Sequence, residues 1–176
     1  MGAFANTREK LMFFVRSASS RDIPAIREVL AETWRATYAP FYGAAKVEEI
    51  IADWHSEAAV KASLERPDGE FLVADDGNRI GGMAFASHAS GTHVVSLHQL
   101  YVRPECQGLG IGRDLFAEIE TCFPGAQSLT LEVDPGNEPA IAFYQAHGMS
   151  ETGRTDNCGK GQSGIPALIM TKPLAG

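Results

Sequence analysis

Three alternating glycines, Gly108, Gly110 and Gly112, stand in the run Gln107-Gly108-Leu109-Gly110-Ile111-Gly112, between a strand-like stretch ending Tyr101-Val102-Arg103-Pro104 and a helix-like stretch opening Arg113-Asp114-Leu115-Phe116. A glycine loop brings its backbone N–H groups unshielded against a ligand, and a loop feeding a helix N-terminus adds the positive end of the helix dipole. Phosphate is the guest that such a loop suits. The question is which phosphate ligand.

Two common answers fail on the residues. A nucleoside-triphosphate P-loop ends Gly-Lys-Ser/Thr, whereas this segment continues Gly112-Arg113-Asp114. A dinucleotide fingerprint needs a third glycine three residues after the second, and the two available counts place Arg113 or Leu115 there. Glu132 stands near the distance expected of a ribose-binding acid, but Arg103 to Gln107 separate the strand from the glycines where that motif requires a tight turn.

A third answer accounts for more of the chain. The run Gln107 to Gly112, preceded by Leu100-Tyr101-Val102-Arg103-Pro104, resembles the Q/R-x-x-G-x-G/A signature of the GNAT superfamily of N-acetyltransferases. Downstream, the segment from Asn137 through Ala140, Phe143, Tyr144 and Gly148 to Met149 is similar to that superfamily's N-x-x-A-x-x-F-Y-x-x-x-G-F run, departing only at Met149.

The resemblance implies an α+β (mixed α/β) fold: a central, mostly antiparallel sheet splayed into a V between His93–Val102 and Ser128–Val133, flanked by helices on both faces. Acetyl-CoA is implied as co-substrate in the gap, with no metal. Backbone groups of Leu100, Tyr101 and Val102 would bond the pantetheine arm as an added strand does, and amides from Gln107, Gly108, Leu109, Gly110, Ile111, Gly112 and Arg113 would surround the pyrophosphate. Asn137, Ala140 and Tyr144 share one helix face. Ala140 then leaves room for the arm and Tyr144 reaches its sulfur, while Asn137 and Gly148 also serve as helix cap and stop.

The implied activity is direct acetyl transfer to a primary amine in a ternary complex. An amine of pKa ~10.4 costs roughly 4 to 5 kcal/mol to deprotonate at pH 7, so a base or water chain must take its proton. The Val102 N–H suits the developing oxyanion, and the Tyr144 phenol is the candidate acid for the departing thiolate. Many members of the superfamily carry a glutamate where Ser96 stands here, which leaves the base open. His98, on the same strand, should share the face of Ser96 unless a bulge intervenes, as a base, a water-holding group or a plain wall residue. Cys106, beside the anion loop, offers a covalent alternative that direct transfer does not need. Ser96 in the usual acidic position also admits an acyl-CoA-binding regulatory module with little catalysis, against which Tyr144 speaks.

In this superfamily the first helical region roofs the acceptor site. Here it carries Trp34, Tyr38 and Phe41, with Glu48, Glu49 and Asp53 nearby, and aromatic faces with carboxylates suit a cationic amine. The same aromatics would also serve simply to pack the helix on the sheet. A small amine, a polyamine, a peptide N-terminus and an amino-bearing antibiotic are all open as acceptors.

The elements that must position these groups alternate along the chain. Residues 1–10 read as a loose arm before one domain spanning 11–176. A short strand, Leu11 to Val15, precedes an amphipathic helix set by Ile23, Ile26, Val29, Leu30 and Trp34, ending near Pro40. Ala44 to Leu64 reads as helix broken near Trp54-His55. Strands follow at 70–74 and 79–87 around the turn Asp75-Asp76-Gly77-Asn78, then at 93–102. The glycine loop opens a helix to Phe123, Ser128 to Val133 is a strand, and Asn137 starts a helix that Gly148 ends. Two further strands, Met149 to Arg154 and Pro166 to Thr171, enclose a glycine-rich loop at 159–164.

Composition agrees with this setting. The 176 residues carry a net charge of −7, which argues against a nucleic-acid backbone as partner and suits a cationic substrate. Cys106, Cys122 and Cys158 form no CxxC pair, and the N-terminus has no long apolar run. A reduced, cytoplasmic protein with no membrane partner is expected, with homodimerisation open. His55, His88, His93 and His147 have no metal-ligand spacing.

Overall fold

The structure, a computed structural model, describes residues 12–159 and 162–175. The expected arm at 1–10 lies outside the described residues. Seven strands form one sheet in the order β1-β2-β3-β4-β5-β7-β6: β1 Phe14–Ser17, β2 Gly69–Asp75, β3 Ile80–His88, β4 Val94–Val102, β5 Ser128–Val133, β6 Ser150–Thr155 and β7 Ala167–Pro173. Every neighbouring pair is antiparallel except β4 with β5, which run parallel. The first strand starts later than the sequence predicts, at Phe14.

Helices cover both faces, so β2 and β3 are buried on both sides and read as continuous apolar runs. On one face α1 (Ile23–Tyr42) and α3 (Glu57–Leu64) pack Ile26, Val29, Leu30 and Val60 against Phe71, Val73, Met83 and Phe85. A continuation of this core joins Trp34 and Tyr38 to Val47 and Ile50 of α2 (Ala44–Trp54). On the other face α4 (Ile111–Thr121) and α5 (Glu138–Ala146) pack Leu115, Phe116, Ile119 and Tyr144 against Ala84, Val95, Leu97, Leu129 and Leu131.

Helix α1 continues past the predicted end, with Pro40 inside its last turn. Proline there forfeits one N–H bond, yet the chain stays helical until Gly43, at φ +80°, whose N–H closes on the Ala39 carbonyl. The Tyr42 hydroxyl bonds the Asp134 carboxylate, and the Tyr38 hydroxyl accepts from Asn137 Nδ2 at 3.3 Å. These two contacts tie the last turns of α1 to the β5–α5 loop.

Candidate active site

The parallel pairing of β4 with β5 runs from Val94↔Ser128 to Leu97↔Leu131 and stops. Beyond that step β4 stays on β3, with Gly82↔Val102 the last pair, while β5 stays on β7 to Val133↔Leu168. The two strands part into a V, and a cleft of about 830 Å³ opens between them. Leu100, Tyr101 and Val102 line one wall, and Glu132 and Val133 line the other. Strand edges that lose their partner leave backbone groups free for an extended ligand.

The glycine loop closes one end of the cleft. Gly108 (φ +79°) and Gly110 (φ +84°) are left-handed, and Gly110 is the residue before the first turn of α4. A Cβ at Gly110 would stand 2.8 Å from a guanidinium nitrogen of Arg113, so the missing side chain is what allows Arg113 to lie over the loop. At Gly82 a Cβ would meet Ile111 Cγ2 at 2.8 Å, so the start of α4 rests directly on the backbone of β3. Arg103 anchors the approach to the loop: it donates to the Ile80 carbonyl at 2.7 Å and pairs with Glu32 at 2.7 Å and Glu28 at 3.3 Å, joining α1 to the end of β4. Sequence reasoning missed Arg103, because nothing local marks an arginine that buries its head in another element.

Gln107, Gly108, Gly110, Ile111, Gly112 and Arg113 all line the cleft, whereas Leu109 is half exposed and does not line it. Leu109 therefore has only backbone to offer. On α5, Asn137, Ala140 and Tyr144 line the same space. Asn137 caps the helix, its Oδ1 accepting the Ala140 N–H at 3.3 Å, so both ends of its amide are engaged. The Tyr144 hydroxyl has no hydrogen-bond partner among the described residues, and burial, then the neighbouring Tyr38, pushes its ionisation upward. A neutral phenol that keeps its proton is a competent donor.

The bulge that bears on His98 is present. Phe85 pairs with Gln99 and Ala86 with Leu97, leaving His98 as the extra residue of β4. His98 still lies on the face of Ser96, since its ring stacks on Phe85 at 5.1 Å and its Nε2 is 2.7 Å from Oγ of Ser87, the residue that pairs with Ser96. Those contacts turn the imidazole toward β3, away from β5. Ser96 does not reach the cleft, because it lies below the step at which β4 and β5 part.

Glu132 is a cleft residue that sequence reasoning weighed only as a ribose-binding acid and set aside. It sits one step past the last β4–β5 pair, exposed on the face opposite Leu129, Leu131 and Val133, and is the only carboxylate among the described residues lining the cleft. Its Oε2 accepts the Gly159 N–H at 2.8 Å. The signal was the alternation of β5, which assigns Glu132 to the α1 face once the strand boundaries are known.

Helix α1 contributes Thr33, Thr37, Tyr38 and Phe41 to the cleft. Trp34 corrects the expectation for it. It is buried against Tyr38, Trp54 and His55, with ring centroids 4.4, 5.9 and 5.4 Å away, and supports the wall from behind. Phe41 is 58% exposed and lies beside Gly136. Cys106 lines the floor of the loop with no exposed surface, and its burial raises the thiol pKa.

A sequence model described as the acetyltransferase (GNAT) family matches residues 23–149, which include the whole V, the glycine loop and α5. The chain belongs to the GNAT family of acetyltransferases. It is 28% identical over 142 residues to a peptidyl-lysine N-acetyltransferase, YjaB, of Salmonella typhimurium, covering 80% of this chain and 79% of that one. It is 27% identical over 142 residues to a spermidine N(1)-acetyltransferase of Thermoplasma acidophilum, covering 77% and 86%. The crystal structure of the PaiA N-acetyltransferase of Thermoplasma acidophilum in complex with coenzyme A superposes with a TM-score of 0.80 at 24% identity, over 92% of this chain and 98% of that one. This GNAT N-acetyltransferase therefore shares its fold with a protein seen holding coenzyme A. No helix among the described residues is long and apolar enough to cross a membrane.

Proposed function

We infer that this GNAT enzyme transfers an acetyl group from acetyl-CoA directly to a primary amine, in a ternary complex. The observation that carries this reading is the cleft itself, in which a left-handed glycine loop, an unpaired strand edge and an unpartnered phenol meet one carboxylate on the opposite strand. Acetyl-CoA supplies an activated acetyl thioester when bound. The residues present fit it: the loop from Gln107 to Arg113 would hold the pyrophosphate, and Leu100 to Val102 would hold the arm along the open edge of β4.

Glu132 is assigned as the base, acting on the incoming ammonium directly or through one water. It faces the acceptor side, and a carboxylate there also favours approach of a cation. His98, bonded to Ser87, is assigned as an acceptor wall and water-holding residue. Tyr144 gives its proton to the departing sulfur as the C–S bond breaks. After attack the tetrahedral adduct loses a second proton from nitrogen to solvent, and Glu132 and Tyr144 exchange their gained and lost protons with solvent. Two protons thus leave the ammonium nitrogen, one balanced by the proton that sulfur gains and one released. The Val102 N–H is assigned to the oxyanion. Full burial of Cys106 and its raised thiol pKa speak for direct transfer over a cysteine-bound acyl group.

The relatives named above act on peptidyl-lysine and on spermidine, two acceptors that share a primary amine on a flexible cationic stem. That chemistry is assigned to the acceptor here. The test is thiol release from acetyl-CoA across spermidine, a lysine peptide, a peptide with a free N-terminus and an aminoglycoside. Intersecting initial-velocity lines are expected, with Glu132→Gln and Tyr144→Phe each lowering turnover on the order of 100-fold while acetyl-CoA affinity changes little. Tight CoA binding without turnover on any amine would leave a regulatory acyl-CoA-binding module instead, and a ping-pong pattern would return Cys106 to consideration.

A further inference from the structure

We propose that the Tyr38 hydroxyl is a second hydrogen-bond donor to the departing sulfur, reaching it from the face of the sheet opposite to Tyr144. This rests on the acetyl-CoA reading above.

Tyr38 and Tyr144 belong to different cores. Tyr38 packs with Trp34, Val47 and Ile50 on the α1 side, and Tyr144 packs with the α4 and α5 side, yet both line the one cleft because β4 and β5 have parted between them. A group lodged in the V is thus met from both faces of the sheet. The Tyr38 ring is fixed by Trp34 at 4.4 Å and Tyr42 at 6.1 Å, so its hydroxyl has one place to be.

The hydrogen-bond inventory decides which phenols have a proton to offer. Tyr42 spends its proton on Asp134. Tyr38 receives a hydrogen bond from Asn137 Nδ2, and its own proton has no acceptor among the described residues. Asn137 is immobilised by capping α5, the helix that carries Tyr144, so the two phenols are set relative to each other through one side chain. Burial raises the pKa of both phenols; at Tyr38 the Asn137 hydrogen bond works against it and Asp134 adds to it, with a net rise that keeps the proton on oxygen.

The step divides as follows. The C–S bond breaks with its electron pair going to sulfur, Tyr144 delivers the proton, and Tyr38 keeps its own proton while its O–H bond dipole stabilises the thiolate. A wall residue that merely touches the amine would not affect sulfur at all.

The experiment uses the full chain saturated with coenzyme A, and needs no acceptor. The ultraviolet thiolate band of the CoA complex, measured against the complex with desulfo-CoA to cancel the protein's own tyrosines, is titrated with pH. A hydrogen bond to a charged group is worth about tenfold or more in an equilibrium. Tyr38→Phe is expected to lower the ionisation constant of the bound thiol about tenfold, Tyr144→Phe by a similar factor, and Tyr42→Phe not at all. Tyr38→Phe retains the ring that packs against Trp34 and loses only the Asn137 bond, so its melt should fall by no more than a few degrees. Bound CoA with an unchanged thiol ionisation in Tyr38→Phe, or an equal shift in Tyr42→Phe, overturns the proposal alone. Failure of the parent protein to bind CoA overturns the acetyl-CoA reading and this proposal with it.

Discussion

Acid should loosen this protein at His55 as pH falls below 6.5. His55 follows α2, is 2% exposed, meets Trp34 edge-on, and has a buried Nδ1 with no partner. Burial lowers its pKa from 6.5 to about 4. The unfolded chain therefore binds the proton first as pH falls. The stabilising contribution of the neutral ring is complete above 6.5 and disappears as pH falls through 4. At ~1.36 kcal/mol per unit the full window is worth about 3 kcal/mol, of which about 2 kcal/mol is lost between pH 7 and pH 5. Asp22, held near 2 by Arg16, loses its contribution only below its ordinary 3.8, so it leaves that interval clean. The assay is urea unfolding at pH 7 and pH 5 for the parent and for His55→Phe, which keeps a ring against Trp34 without titrating. The variant should lose about 2 kcal/mol less than the parent between the two pH values. Equal losses in both proteins would refute the assignment of the acid sensitivity to this ring.

The glycine loop and the β4 anchor give two more tests. Gly110→Ala places a Cβ in a left-handed position and against the Arg113 guanidinium, whereas Gly125→Ala meets the same backbone strain (φ +83°) with nothing within 4 Å and away from the cleft. Both should cost about 1 to 2 kcal/mol in thermal unfolding, and Gly110→Ala alone should weaken CoA binding measured by calorimetry; equal affinities would detach the loop from the ligand. Arg103→Met leaves the Ile80 carbonyl without its side-chain donor and separates Glu28 and Glu32 from their cation. Because Glu28 is exposed and Glu32 partly so, the expected loss in urea unfolding is about 2 kcal/mol, below that of a fully buried pair, and no loss would show the anchor to be incidental.

The glycine loop and α5, two segments that line the cleft, were legible in the sequence because each is local. The loop at Gln107–Gly112 and the helix from Asn137 to Tyr144 are each one short run with a fixed internal spacing, and the alternation of Ser128–Val133 gives its strand without reference to anything distant. What escaped was set by tertiary contacts. The helix α1 was expected to stop near Pro40, but its last turns are held by Tyr38 on Asn137 and Tyr42 on Asp134, partners that lie far along the chain. The bulge at His98 has no marker in the sequence, since the extra residue is defined only by the register of β3 against β4.

The rest of the cleft shows the same limit more sharply. Glu132 comes from β5, His98 from the bulge of β4, Thr37 and Phe41 from α1, and the N–H that fixes Glu132 from Gly159 in the β6–β7 loop. No spacing rule links four such segments, so the sequence leaves the base open, with Ser96 where the superfamily resemblance implies a glutamate and His98 as one candidate beside it. A carboxylate on either strand beside the split can face the same acceptor, because the parallel register that ends at Leu97↔Leu131 makes His98 and Glu132 equivalent next steps on one face. With His98 turned toward Ser87 and no acid on β4 at the split, the proton-accepting role is proposed for Glu132 on β5. The substitution Glu132→Gln therefore tests whether the chemistry follows the position of the split or the identity of the strand.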